Sequence, residues 1–273
     1  MTTVLVTGAT DGIGRETAHE LARRGARVIV HGRNREKAEA VARELEGIAE
    51  GSAAAPLVGD LSSLEEVRRV AEEALARGER VDVLLNNAGV YMNEPQVSRD
   101  GFEMTFAVNH LAPFLLTHLL LPMLRDGAPA RVVNVSSIAH TRGAIDVGRL
   151  GDVERFDPYR AYADSKLANV LFTVELARRL GPGPVTVNAL HPGVVSTKLL
   201  TEGFGFHGKD SLAEGAATSV QLALSPEVAE VTGRYFAASK EATMAPVARD
   251  LSLAARFYEK SAELVGIEPL PPR

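Results

Sequence analysis

Tyr162 and Lys166 stand four residues apart in YADSK (162–166), the spacing that places two side chains on one face of a helix. A phenol ionises near pH 10, too high for a base at neutral pH, and a nearby ammonium favours its charged form. Such a pair can pass a proton to or from an oxygen. Ser137 closes VNVSS (133–137), with Ser136 as the alternative hydroxyl. Charge building on a carbonyl oxygen would be met there by hydrogen bonds from Ser137 and Tyr162. Asn109, in AVNH (107–110), falls inside an apolar helical pattern, where an amide must find partners or cost stability. NNAG (86–89) and LHPG (190–193) end two further strands. Each motif also has a plain structural reading: a surface pair packing its stems, a serine cap, a bonded core amide, a turn. Their order, at successive strand ends, is what argues for a shared site.

A second group could hold an anion. TGATDGIG (7–14) follows the apolar run VLV and opens a helical pattern. A helix N-terminus offers unpaired N–H groups and a partial positive charge, and glycine lets the backbone approach a phosphate. Gly8, Thr10, Gly12 and Gly14 have the placement for this, with Ile13 anchoring the helix start. The next strand ends HGRN (31–34), without the acidic residue that holds an adenosine ribose 2′-OH in NAD sites. Arg33 can instead form charge-assisted bonds to a 2′-phosphate, which favours NADP(H) over NAD(H). Asp11, in the glycine loop, weighs against that choice, and Arg33 could equally be a surface residue capping the strand.

The elements that must position these residues alternate. Strands are expected at 3–7, 26–31, 54–59, 81–86, 130–136 and 185–191, with a weaker seventh at 233–236, and Ala/Glu/Arg-rich helical patterns lie between them. Nearly all-apolar strands are buried on both faces, as in a parallel sheet covered by helices. This is an α/β chain with a single Rossmann-type, doubly wound parallel sheet of about seven strands and helices on both faces. No repeat or linker divides it, so 1–273 is expected to be one domain. Looser stretches at 140–161 and 201–210 follow strand ends, where open α/β sheets bind ligands.

Composition narrows the class. Net charge is −5, with no basic stripe, which argues against nucleic acid as a partner. The absence of cysteine excludes disulfides, thiol catalysis and Cys-ligated zinc, and fits a reducing compartment. The histidines form no ligand pair, so no metal is expected, and they read as surface or structural residues. FLLTHLLL (114–121) is too short an apolar run to span a bilayer, and no secretory signal is evident. The expectation is a cytoplasmic protein without a membrane partner.

TGATDGIG, Asp60-Leu61, NNAG, Asn109, VNVSS, YADSK and HPG, in this order, resemble the short-chain dehydrogenase/reductase family along the whole chain. VNVSSIAH, SKLANVLFTVELARRL (165–180), GRYF and AARFYEKSAELVG (254–266) resemble its retinol dehydrogenase-like branch. The interval of 25 residues from Ser137 to Tyr162 is longer than in the best-known members and suggests a substrate-side loop. The resemblance implies that Gly8, Gly12, Ile13 and Gly14 cradle a pyrophosphate and Arg33 meets the 2′-phosphate. It implies that Asp60 and Leu61 lie at the adenine, Asn87, Ala88 and Gly89 beneath the riboses, and Val195 and Thr197 at the carboxamide. Ser137 would orient the substrate oxygen and Tyr162 transfer the proton. Lys166 would bond the ribose and lower the tyrosine pKa, and Asn109 would hold a relay water. Pro113 removes a helix hydrogen bond and is expected to kink the chain there.

The reading that follows is an NADP(H)-dependent carbonyl reductase or alcohol dehydrogenase acting on a medium-sized, largely apolar small molecule. Ile145, Val147, Phe156, Leu199, Leu200, Phe204 and Phe206 are candidate pocket walls. A dinucleotide-binding sensor without activity is the alternative, disfavoured by the complete Asn109–Ser137–Tyr162–Lys166 set. An epimerase or dehydratase fits neither the glycine spacing nor the length. The resemblance leaves a homodimer or homotetramer open, with helices around 101–125 and 160–181 as the seam and a C-terminal helix around 247–265 beside it.

Overall fold

Runs of β-branched residues build the centre of the molecule. The structure, a computed structural model, describes residues 1–154 and 156–273. Its strands are β1 (Thr3–Val6), β2 (Arg27–Gly32), β3 (Leu57–Val58), β4 (Val83–Asn86), β5 (Ala130–Val135), β6 (Val185–His191), β7 (Arg234–Ala237) and β8 (Lys240–Glu241). They form one sheet in the order β3-β2-β1-β4-β5-β6-β7-β8, parallel except for β8, which pairs antiparallel with β7. The sheet thus has eight strands, one more than expected. β3 is only two residues long, extended by a bridge from Val28 to Ala53.

Alternation along the strands feeds two cores. Val4, Val6, Val28, Val30, Val133 and Val135 point to one face, where α1 (Gly12–Arg23), α2 (Arg35–Glu46) and α7 (Leu212–Leu224) pack. Leu5, Ile29, Leu84 and Val132 point to the other. That side carries α3 (Leu64–Ala76), α5 (Ala112–Asp126), α6 (Pro158–Leu180) and α8 (Leu251–Val265). Caps fix the helix starts: Ser63 accepts from the Glu66 amide at α3, with Glu65 and Glu66 in the first turn, and Asp157 accepts from the Arg160 amide at α6.

The segment before α5 departs from a plain helix. A short turn, α4 (Met104–Phe106), runs into a π-helical stretch at Ala107–Leu111 and then into α5. Residue 113 is proline, so the N–H that would close the α-helical bond to the Asn109 carbonyl is missing. The combined helix Met104–Asp126, 23 residues containing an 18-residue window of mean hydropathy 1.4, is by length and composition long and apolar enough to cross a membrane. The run FLLTHLLL is thus one part of a longer apolar helix than its eight residues suggest. Within the fold 78% of its apolar window is buried, and α8 packs over it and α6.

Candidate active site

The C-terminal ends of the parallel strands open into one cleft of about 890 Å³. Gly8, Thr10, Gly12, Ile13, Gly14, Arg33, Asp60, Leu61, Asn87, Ala88, Gly89, Ser137, Tyr162, Lys166, Val195 and Thr197 all line it. Asn109 does not. It is fully buried behind the wall, its Oδ1 accepting from the Val90 amide at 2.7 Å. Its Nδ2 donates to the Val90 carbonyl and the Ser165 hydroxyl, each at 3.0 Å. The Asn109 side chain therefore ties the loop after β4 to α6.

The glycine loop is shaped by close approaches. Gly8 sits at φ +64, and a Cβ there would lie 2.9 Å from the Ala88 Cα. At Gly14 a Cβ would come 2.3 Å from both the Gly8 carbonyl oxygen and the Asn87 Nδ2. Asn87 donates to the carbonyls of Thr7 (2.8 Å) and Gly8 (3.2 Å). The Thr7 hydroxyl accepts from the amides of Asn87 and Ala88. Thr7 is a positioning residue absent from the sequence expectations, although a polar side chain ending a buried strand is a visible signal. Asp11 caps α1, accepting from the Gly12 amide at 2.8 Å, and pairs with Lys198 at 2.6 Å. That hydrogen bond to Lys198 holds its carboxyl below the usual range. The Arg33 guanidinium is exposed and makes no ion pair among the described residues.

Across the cleft the two serines differ. Ser136 donates to the Lys166 carbonyl at 2.7 Å and braces α6. Ser137 faces Tyr162, on the second turn of α6. Burial pushes the Tyr162 phenol up to about 12, with hydrogen bonding to Ser137 pulling it back. Lys166 donates to the Val135 carbonyl at 3.1 Å, and its Nζ lies 5.5 Å from the Tyr162 ring centre. Burial lowers this lysine to about 8. Desolvation dominates the shift of the phenol, and Lys166, expected to lower it, is not among the groups that shift it in this arrangement.

The substrate side is aromatic. Phe204 meets Tyr162 edge-on at 5.2 Å and lies 4.2 Å from Tyr91, whose ring is 5.6 Å from Tyr162. Leu199, Leu200, Phe204 and Phe206 line the cleft as expected, joined by Met92, Ile138, Thr141, Arg142 and Tyr159. Ile145 and Phe156 instead line a separate cavity of about 510 Å³ with Asp146, Arg149 and Asp164, and Val147 packs against the core. The chain after Gly143 is held to α6 instead, the Ala144 amide donating to Asp164 at 2.6 Å. Tyr91 carried no sequence signal, since only the folded chain brings it to Tyr162.

The donors and the close-packed glycines at the start of α1 fit a dinucleotide phosphate, and Lys166, Ser137 and Tyr162 stand at the other end of the same cleft. Residues 2–204 match the family model for short chain dehydrogenases. Human retinol dehydrogenase 13 is 44% identical over 282 residues, covering 97% of this chain and 85% of that protein. Human retinol dehydrogenase 14 is also 44% identical, over 97% of this chain and 86% of that protein. Among solved structures, an uncharacterised protein from Mycobacterium paratuberculosis superposes with a TM-score of 0.82 at 36% identity, covering 99% of this chain and 95% of its own. A candidate NAD(P)-dependent gluconate 5-dehydrogenase from Beutenbergia cavernae, with NADP bound, gives 0.70 at 33% identity, covering 87% and 94%. With fold, cleft and relatives in agreement, the chain belongs to the short-chain dehydrogenase family of oxidoreductases, in its retinol dehydrogenase-like branch.

Proposed function

We propose that the protein interconverts the carbonyl and alcohol forms of a small to medium, largely apolar substrate, using NADP(H), with Tyr162 as proton donor and acceptor. The observation that carries this reading is the single cleft shared by Ser137, Tyr162, Lys166 and the glycine loop. When bound, the nicotinamide dinucleotide supplies or takes up the hydride. Ser137 and Tyr162 hold the substrate oxygen by hydrogen bonds where charge builds during reduction. The Tyr162 phenol, which ordinarily ionises near pH 10 and is pushed higher by burial, is protonated at neutral pH, which suits donation to that oxygen. Lys166, at about 8, is mostly an ammonium at neutral pH and favours the phenolate left behind.

Arg33 is the group we place on the 2′-phosphate. An exposed guanidinium without an ion pair, and no acidic residue at 31–34, support that choice. The aromatic and aliphatic side chains around Phe204 support an apolar substrate. The test is reduction of straight-chain aldehydes with NADPH. Tyr162→Phe should lower kcat by roughly 10²–10⁴ while NADPH still raises the melting temperature. Retained turnover would sink the assignment, and a larger melting shift with NADH would discard the NADP(H) choice.

A further inference from the structure

His140 lies three residues beyond Ser137 and is fully buried. Both of its ring nitrogens are engaged. The Ala245 amide donates to Nε2 at 3.0 Å, so Nε2 must present its lone pair. Nδ1 then carries the hydrogen and donates to the Ser137 carbonyl at 2.7 Å. The same carbonyl accepts from the His140 amide at 3.1 Å. The ring rests against Tyr235 of β7, with centroids 4.5 Å apart. Its two outside anchors thus belong to β7 and to the chain entering the 3₁₀ turn Pro246–Arg249, far from Ser137 in sequence.

Ser137 needs such an anchor. It is the extended residue, φ −159 and ψ 160, that opens a 3₁₀ turn at Ile138–Arg142. Short 3₁₀ turns are held by poorly aligned bonds and are weak on their own. Rotation of the Ser137 peptide would swing its hydroxyl relative to Tyr162, and displacements near 1 Å at a reacting centre can cost on the order of 100-fold in rate.

We propose that His140 is a positioning residue, clamping the Ser137 backbone to Ala245 and Tyr235 so that the serine hydroxyl stays directed at Tyr162. This rests on the roles proposed above for Ser137 and Tyr162. An inert filler of the same space would need only an apolar ring, whereas here the two nitrogens have different jobs. Asn at 140 can place an amide N–H near Nδ1 and keep the Ser137 bond. Gln can place an acceptor near Nε2 and keep only the Ala245 bond. Phe keeps neither.

The experiment compares wild type, His140→Asn, His140→Gln, His140→Phe and Tyr162→Phe. The probe is the straight-chain aldehyde, from hexanal to dodecanal, that the wild-type protein reduces fastest with NADPH. Melting temperature and the NADPH-induced shift are measured on each variant. The expected result is a kcat loss of roughly ten- to a hundredfold in Gln and Phe, partial rescue in Asn, and an NADPH shift unchanged throughout. If the Phe variant does not fold, Asn against Gln decides. Asn no better than Gln, losses that follow melting temperature, or unchanged kcat in every variant would overturn the proposal. Full turnover in Tyr162→Phe would overturn the underlying reading instead, so the two failures are distinguishable.

Discussion

In the function proposed above, Arg33 is the side chain that sets the cofactor preference. It stands at the end of β2, lines the cleft, and has no carboxylate partner among the described residues. A charge-assisted bond to a phosphate contributes about 1.5–3 kcal/mol, roughly ten- to a hundredfold in affinity. Arg33→Asp removes that bond and offers a carboxylate to a ribose 2′-OH instead. The expected outcome is a fall of at least about tenfold in the NADPH/NADH ratio of kcat/KM, measured on one aldehyde. An unchanged ratio would mean that the phosphate is held elsewhere. Arg33, Tyr162, Lys166 and Ser137 stand out in the sequence by type and order, and the fold brings all four to one cleft. Thr7, Tyr91 and His140 were not read as site residues. Each acts through a partner distant in sequence (Asn87 and Ala88, Phe204, Ala245), and no local spacing encodes those meetings.

The turn from β1 into α1 acts as a unit. Gly14 belongs to the helix, yet its α-carbon faces the Gly8 carbonyl and the Asn87 amide, with no room for a methyl group. Gly14→Ala must push the start of α1 away from the loop after β4. Overpacking of this kind costs about 1–3 kcal/mol, and it moves the N–H groups placed to meet a phosphate. We expect a lower melting temperature and loss of the NADPH-induced shift, with the aldehyde reaction falling in parallel. A variant that keeps the full shift would show that the close contact is not needed for binding. Elements with strong periodicity were legible in the sequence: the buried strands, the Ser63-capped α3, and α6 with its Tyr-Lys face. β8 was not, because Lys240 and Glu241 carry no apolar pattern and pair only as an edge. The π-helical stretch left one trace, Pro113, which marks a missing donor without specifying the wider turn.

Across the whole molecule, burial of histidine makes folding sensitive to acid. His31, His118 and His191 are lowered to about 4, and His110 to about 3, in each case chiefly by desolvation. His31 lies against the glycine loop, where the Gly8 amide reaches its Nδ1 at 3.5 Å, and His110 belongs to the π-helical stretch. His118 joins α5 to α8 through the Tyr258 hydroxyl at 2.5 Å, and its Nδ1 lies 2.6 Å from the Phe114 carbonyl. An unfolded chain takes up protons on these groups near pH 6.5, while the folded chain resists until about pH 4. Between those values the unfolded state binds more protons, so stability is full above pH 6.5 and declines as pH falls toward 4. Each histidine lowered to about 4 can withdraw up to about 3 kcal/mol over that window, a large share of a typical domain's stability. The urea midpoint should therefore drop markedly between pH 7 and pH 5. His118→Gln, which can still accept from Tyr258 but does not titrate, should flatten part of that drop. A midpoint that holds steady from pH 7 to pH 5 would mean that these rings gain protons in the fold as readily as in the unfolded chain, against the burial seen around them.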